Sequence, residues 1–340
     1  KDCEIRDALE QLNDLSGGNL TLFVVDADDS LCGSLTDGDI RRALVGDISL
    51  TTPVGHICNR NCLRISTDDS PFDIAQRAVA KGITLLPVVE RGKVVRLEDL
   101  RTRKALLPLD AVLMAGGKGE RLRPLTLRTP KPLLPVAGKP IIAYNIDLLY
   151  SYGIDNIFVT VNYLKEQIAD FFATGNDSHL PRVECIAEPT RLGTMGSLSL
   201  IYGLTHENLI VMNSDLLTTI DFEKMFLYHK ETEAALTMGC IPYNVSVPYA
   251  IVRQEDGIVK GMSEKPTFTY LANAGIYMMR REVADSIPHG EYLDAPELIE
   301  TLIARGEKVV SFPIDGTWID IGNPDDYAAA DRLMSTAKNR

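Results

Sequence analysis

The chain is predicted to join a small α+β unit to a larger α/β unit built on a mainly parallel, Rossmann-like sheet. Three observations carry this. From residue 109 onward, short apolar runs alternate with longer amphipathic stretches. Up to about residue 106 the chain reads instead as two similar halves, and a basic stretch (Arg101, Arg103, Lys104) followed by Pro108 separates the two regions. Regular alternation of strands and helices favours a parallel sheet covered on both faces, with ligands gathering at the carboxyl ends of its strands.

At 340 residues, 45% hydrophobic and 24% charged, the chain has room for two or three domains. It contains no apolar run of the roughly eighteen residues that a membrane helix needs. Its opening Lys1-Asp2-Cys3-Glu4 lacks the basic and apolar regions of a secretion signal, so a cytoplasmic location is expected. The net charge is -12, and acidic side chains outnumber basic ones in both parts, 17 to 14 up to residue 108 and 30 to 21 beyond. That balance argues against a nucleic-acid backbone as partner, whereas a nucleotide needs only a local cluster of cations. Six cysteines (Cys3, Cys32, Cys58, Cys62, Cys185, Cys240) fall at irregular spacings. With no histidine at metal-ligand spacing after Cys58 and Cys62, reduced thiols are expected ahead of zinc or disulfides.

In the first half of the N-terminal region, a helical pattern (Ile5, Leu9, Leu12, Leu15) runs through Gly17-Gly18 to an apolar strand, Leu20 to Val25. A turn at Asp26 to Ser30 and a strand from Leu31 to Leu35 follow. Thr36-Asp37-Gly38-Asp39 is then placed to cap a helix carrying Ile40, Ala43 and Leu44. The second half repeats the order. Ser70 caps a helix through Phe72, Ile74, Ala75 and Val79, strands follow at Leu85 to Val89 and Lys93 to Leu97, and Glu98-Asp99 opens a further helix. Two such units are expected to share one core. The pattern over residues 1–106 resembles a tandem pair of CBS modules. The resemblance implies an adenine-nucleotide site in which Thr36 and Asp39 reach the ribose; in the second repeat Arg96 replaces the hydroxyl and only Asp99 remains. As residues, Thr36 and Asp39 equally suit helix capping in a dimerisation platform.

Beyond Pro108, strands are predicted at 111–115, 156–161, 183–187, 209–212 and 235–241, with later ones near 249–253, 258–262 and 309–314. Helices are predicted at 141–152, 164–173, 193–203, 221–231, 281–287 and 295–304. The first strand runs into Gly116, Gly117 and Gly119, and Arg121, Arg123, Arg128 and Lys131 follow. Glycines let backbone N–H groups approach a polyanion, and nearby cations neutralise it. The loop has neither the Gly-Lys-Ser/Thr ending of a P-loop nor the dinucleotide Gly-x-Gly-x-x-Gly. It reads Gly-Gly-x-Gly-x-Arg-Leu-x-Pro-Leu-Thr, then Pro130-Lys131-Pro132 and Gly138-Lys139-Pro140. The prolines restrict the returning path, so Arg121 and Lys131 can meet one anion, the first as a fork and the second as a point charge.

This stretch resembles the signature of sugar-1-phosphate nucleotidyltransferases, and the resemblance covers about 109–332 of a domain expected over 109–340. It implies that Arg121, Lys131, Asp215 and Asp320 are catalytic, with Asp215 and Asp320 binding Mg²⁺. Taken alone, Asp215 after its strand also reads as a turn or cap. Glu188-Pro189-Thr190-Arg191-Leu192-Gly193-Thr194-Met195-Gly196 is similar to the family segment beside base and ribose. Glu188, Gly193 and Thr194 are thereby implied to bind nucleotide with Gly116, Gly117 and Gly119. This copy has one extra residue between Pro189 and Leu192, and Gly193-Thr194 could also simply start a helix. Glu264-Lys265-Pro266 and Asn273-Ala274-Gly275-Ile276-Tyr277 match sugar-binding motifs, implying sugar-phosphate contacts from Glu264, Lys265, Asn273 and Ala250, where many relatives have glycine. A surface pair is the alternative for Glu264 and Lys265. His56, His179, His206, His229 and His289 fall in no motif, so no covalent nucleophile pair stands out.

The resemblance implies transfer of a nucleotidyl group from a nucleoside triphosphate to a sugar 1-phosphate with release of pyrophosphate. A CBS pair ahead of such a domain is similar to the bacterial glucosamine-1-phosphate guanylyltransferases of nonulosonic (legionaminic) acid pathways. GTP and glucosamine 1-phosphate are therefore the favoured substrates, with mannose-1-phosphate guanylyltransferase as the alternative. A non-catalytic adenylate-sensing regulator is the alternative from another class. A homo-oligomer is implied, with no membrane partner.

Overall fold

The structure is a computed structural model and describes residues 1–15, 20–174 and 181–338. Gly17-Gly18, between the first helix and strand, lies outside the described residues. The chain divides into two compact units, one of residues 1–108 with 151–153, the other of 109–150 with 154–340.

The first unit contains α1 (Ile5–Asp14), β1 (Thr21–Val25), β2 (Leu31–Thr36), α2 (Asp37–Val45), β3 (Ile65–Ser66), α3 (Pro71–Ala80), β4 (Leu85–Glu90) and β5 (Lys93–Asp99). β1 and β2 form an antiparallel pair, while β3, β4 and β5 form a separate sheet. Ile5, Leu12, Leu35 and Ile40 centre one core, and Ile65, Ile74, Ala78 and Leu86 another. Ser70 caps α3 by accepting from the Asp73 amide, as its position predicts. The helix expected from Glu98-Asp99 is absent: both residues remain in β5, opposite Leu86 and Leu85. Asp99 then accepts from the Arg101 backbone and guanidinium, and Glu98 is buried and pairs with Arg96 and Arg103. These bonds close a turn where a helix would begin.

The second unit opens with β6 (Leu109–Met114), the short pair β7 (Pro135–Val136) and β8 (Lys139–Pro140), α4 (Ile141–Ser151), β9 (Asn156–Val161), α5 (Lys165–Thr174) and β10 (Arg182–Ala187). It continues with β11 (Asn208–Asn213), β12 (Leu216–Thr218), α6 (Phe222–Thr232), β13 (Leu236–Ser246), β14 (Ile251–Glu255), β15 (Ile258–Ser263) and β16 (Thr267–Arg280). α7 (Arg281–Asp285), α8 (Ala295–Ala304), β17 (Val309–Pro313), β18 (Trp318–Asp320) and α9 (Pro324–Lys338) complete it. Seven strands form the main sheet in the order β10-β9-β6-β11-β16-β13-β17. All neighbours are parallel except those of β16, which runs antiparallel to β11 and β13. The inner strands β6, β9 and β11 are buried almost throughout, as strands covered on both faces must be.

The chain builds outward from β6 to β9 and β10, then returns to place β11 on the other side of β6. That reversal opens a crevice at the carboxyl ends of β6 and β11, where ligands of open α/β sheets bind. The helix expected at 193–203 is instead a 3₁₀ turn over Gly196–Leu200. The Met195 and Gly196 amides both donate to the Leu293 carbonyl, and a Cβ on Gly196 would lie 2.2 Å from the Glu291 carbonyl oxygen. Packing against this backbone leaves no room for a full helical turn.

Candidate active site

The crevice is assembled from loops that follow β6, β10 and β11, together with the end of β18. After β11, Ser214 donates to the Met114 carbonyl through both N–H (3.2 Å) and Oγ (2.7 Å), and its own carbonyl accepts from Asn145 on α4 at 3.1 Å. This anchoring turns Asp215 into the crevice. β12 and β18 pair antiparallel with Leu216 opposite Asp320, and the Ile321 amide donates to the Asp215 carbonyl at 3.2 Å. Two carboxylates separated by over a hundred positions in sequence are thereby made neighbours.

Lys131 reaches them from the 3₁₀ turn Lys131–Leu133, held between Pro130 and Pro132. It is buried; its ammonium donates to Asp215 Oδ2 and stands 3.6 Å from Asp320 Oδ1. Burial pushes the Asp215 carboxyl above its usual range, against the opposing pull of Lys131. Asp215 Oδ1 is buried and accepts no hydrogen bond. Arg121 approaches from the glycine loop, since a Cβ added at Gly322 would lie 3.1 Å from Arg121 Nη2 and 3.3 Å from Asp320 Oδ2. The four residues expected to be catalytic thus lie around one point.

Hard carboxylate oxygens, one of them unpartnered, suit a hard divalent cation. Among the described residues no cluster of three His, Cys, Asp or Glu side chains suited to a metal gathers. Such a cation would therefore be held by Asp215 and Asp320, with its remaining ligands from water and a substrate phosphate, as is usual for Mg²⁺.

The residues expected on the nucleotide side line the adjoining cleft. Gly116, Gly117, Lys131, Glu188, Gly193, Thr194 and Asp215 all border it. Gly116 passes so close to Glu188 that a Cβ would lie 2.8 Å from Oε1. Glu188 is buried, which raises its pKa, while the Leu192 amide donates to it at 3.2 Å. Gly193 has φ +77° and sits where a Cβ would meet the Leu293 carbonyl at 2.5 Å, so only glycine fits. Thr194 has a positioning task in the free protein: its amide donates to Asp294 Oδ1 at 3.0 Å, and its hydroxyl accepts from the Ala295 amide at 2.7 Å. Gly119 is set back, its carbonyl accepting from Thr126 Oγ1 at 2.8 Å.

A second compartment of about 410 Å³ adjoins the first, sharing Thr194, Asn213 and Asp294 with it. Asn273 borders it, donating to Tyr277 Oη (2.7 Å) and accepting from the Gly275 amide (2.9 Å). Ala250, Glu264 and Lys265 are not brought there. They lie between β13 and β16 on an outlying segment around the β14–β15 hairpin; Glu264 and Lys265 are exposed and none of the three lines either compartment.

Sequence reasoning assigned no role to Arg191, Asn213, Asp294 or Trp318. All four line the cleft, and Trp318 Nε1 donates to the Ala274 carbonyl at 2.9 Å, tying β18 to β16. Arg191 stood inside the quoted Glu188–Gly196 stretch, and Asn213 and Trp318 stand two residues before Asp215 and Asp320. Asp294 carried no signal except that of a helix N-cap.

In the first unit, Thr36 and Asp39 close a capping box on α2: the Thr36 amide and hydroxyl donate to Asp39 Oδ2 at 2.9 and 2.7 Å, and the Asp39 amide donates back to Thr36 Oγ1 at 3.3 Å. Burial opposes the Asp39 charge, but the Thr36 bonds and Arg42 outweigh it and hold the carboxyl below its usual range.

A cationic loop and paired carboxylates at the switch point mark the chain as an open α/β protein with its crevice where ligands of that class bind. Residues 110–336 match the nucleotidyl transferase family and residues 1–46 match the CBS domain. The chain belongs to the nucleotidyl transferase family. It is 31% identical over 235 residues to a mannose-1-phosphate guanylyltransferase of Mycobacterium tuberculosis, covering 64% of this chain and 62% of that one. It is 32% identical over 236 residues to a probable mannose-1-phosphate guanylyltransferase 2 of Arabidopsis thaliana, covering 66% and 65%. The chain thus spans less than two thirds of these relatives' lengths. Among solved structures, HddC from Yersinia pseudotuberculosis superimposes with a TM-score of 0.53 at 26% identity, covering 66% of this chain and 99% of that one. Among the described residues no helix is long and apolar enough to cross a membrane.

Proposed function

We propose that the second unit joins a sugar 1-phosphate to a nucleoside triphosphate, releasing pyrophosphate and an NDP-sugar. The observation that carries this is the Lys131 ammonium lodged between Asp215 and Asp320 at the switch-point crevice, with one Asp215 oxygen unpartnered. An oxygen of the sugar phosphate attacks the α-phosphorus in line, and the bond to the pyrophosphate leaving group breaks. The nucleophile is already anionic, so no general base is required. Mg²⁺ held by Asp215 and Asp320 would supply neutralisation of phosphate charge. Lys131 and Arg121 add fixed positive charge, Gly116, Gly117, Glu188 and Gly193 shape the nucleotide side, and Asn273 orients the sugar.

GTP is the favoured nucleotide, supported by two relatives named as guanylyltransferases. Glucosamine 1-phosphate is the favoured acceptor and mannose 1-phosphate the alternative, in a cytoplasmic homo-oligomer. Competing GTP, UTP, dTTP and CTP against glucosamine, mannose and glucose 1-phosphates with Mg²⁺ is expected to yield GDP-glucosamine and pyrophosphate. A UDP-sugar as sole product would refute guanylyl transfer. No product from any pair would leave the non-catalytic regulator as the reading.

The N-terminal region, read as a tandem CBS pair, is proposed to take an adenine nucleotide at Thr36 and Asp39. Calorimetric titration of the full chain with AMP is expected to give heat that Asp39→Ala abolishes. No heat from the unsubstituted chain would leave these residues as a helix cap alone.

A further inference from the structure

We infer that the cavity at the amino end of β11 is a second small-molecule site, which takes the phosphate group of a small metabolite. The cavity holds about 560 Å³ and lies at the opposite end of the strand from the catalytic crevice. The two spaces are separate, because β11 runs from Asn208 in the cavity wall to Asn213 in the crevice, a span of roughly 17 Å. The end of β16 and the turn after α6 complete the cavity. The Arg281 amide donates to the Glu207 carbonyl at 2.8 Å and the Arg280 amide to the Ala235 carbonyl at 3.1 Å, which fixes these elements against one another.

The floor is built from buried groups, Asn208, His229 and Ala234. Asn208 is only 6% exposed, and its Oδ1 accepts from His229 Nε2 at 3.1 Å. His229 Nδ1 in turn accepts from the Thr237 hydroxyl at 2.7 Å, so the ring is satisfied as a neutral imidazole. Asn208 Nδ2 has no partner among the described residues. A donor so deeply buried, left unbonded at the floor of a polar cavity, calls for an acceptor supplied from that cavity.

Cations surround this donor. Arg280 and Arg281 are half-buried, whereas Glu207, Glu233 and Glu282 are exposed at the rim. Little of the positive charge is cancelled within the chain. Arg280 donates to the Glu233 carbonyl, a neutral acceptor. Arg281 Nε stands 3.8 Å from Asp285 and Lys230 Nζ 3.9 Å from Glu207, both beyond hydrogen-bond distance. Burial, and then the charges of Arg280 and Lys230, push the His229 pKa down to about 4, so the positive field reaches the floor.

Two guanidinium groups, an ammonium and an amide offer hydrogens only, which matches a tetrahedral oxyanion with acceptors on every side. A free phosphate ion would fill only part of the space. A phosphate ester fits it better, its hydroxyl groups meeting the carboxylates at the rim.

The test is calorimetric titration of the full chain, without Mg²⁺, with glycerol 3-phosphate and separately with inorganic phosphate. Lys131→Ala removes the cation of the catalytic crevice. Lys230→Gln combined with Arg281→Gln removes two cations from the far cavity and leaves Arg280 holding the Glu233 turn. Asn208→Asp keeps the acceptor for His229 and replaces the free donor with a carboxylate oxygen. A melting curve accompanies each variant. Glycerol 3-phosphate is expected to bind the unsubstituted chain and Lys131→Ala alike, and the double variant and Asn208→Asp at least about tenfold more weakly. Inorganic phosphate is expected to follow the same pattern at lower affinity. Binding lost in Lys131→Ala but kept in the double variant would put the anion in the crevice and overturn the inference. So would the absence of heat from the unsubstituted chain at millimolar ligand. Inorganic phosphate binding as tightly as the ester would overturn the metabolite as the source of the phosphate group.

Discussion

Replacing Asp215 with alanine is expected to lower kcat a hundred- to a thousandfold or more, the size seen when one preorganised electrostatic group is removed from a reacting centre. The reason is geometric. Asp215 is the carboxylate that Lys131 contacts most closely, and it also carries the unpartnered buried oxygen. Initial rates of pyrophosphate release, measured with Mg²⁺ titrated to saturation, give the effect; a melting curve confirms that the variant folds. Full activity in Asp215→Ala would remove Asp215 from the reaction and with it the proposed cation site.

The largest expected effect on stability lies at the other end of the sheet. Asp110, fully buried near the start of β6, accepts from the Thr205 amide (2.7 Å) and hydroxyl (3.1 Å), the His206 amide (2.9 Å) and the Asn156 side chain (2.7 Å). His206 Nδ1 lies 3.0 Å from the same carboxylate. Removing it leaves several donors without an acceptor, so Asp110→Ala is expected to cost about 3–5 kcal/mol. For a unit of this size that lowers its melting transition by on the order of 10 °C. Burial alone would raise the Asp110 pKa, but the bonds from His206 and Asn156 outweigh it and depress the folded-state value. Its contribution is therefore fully present above the unfolded value of about 4 and is lost as pH falls through the lower folded value. Melting scans from neutral to acidic pH are expected to show a gap between the unsubstituted chain and the variant that narrows below about pH 4. A gap independent of pH would exclude this electrostatic origin.

Much of the fold was legible because burial imposes simple patterns. The strand expected at 156–161 coincides with β9, and the helix expected at 295–304 coincides with α8. Other elements failed for identifiable reasons. β16 was not predicted: its first residues are mostly exposed and its last are buried on both faces, so neither a period of two nor a continuous apolar run spans it. α9 was missed because its sequence is mostly small and polar, with few apolar residues to mark a buried stripe. At 193–203, local propensity gave way to a carbonyl from a distant loop.

The candidate site divides in the same way. Glycines, prolines and basic residues in one short stretch signal a held polyanion because each acts locally, on backbone path and charge. The alternation of strands and helices likewise pointed to a mainly parallel sheet with a ligand crevice, although the antiparallel β16 within it was not foreseen. Only the tertiary structure decided that Lys131 meets both Asp215 and Asp320, since that depends on the register of β12 with β18. It also brought Asp294 to the wall between the two compartments, through Thr194 a hundred positions earlier. No local pattern encodes such meetings: they follow from how separate elements pack, and a side chain's neighbours then decide whether it caps a helix or faces a ligand.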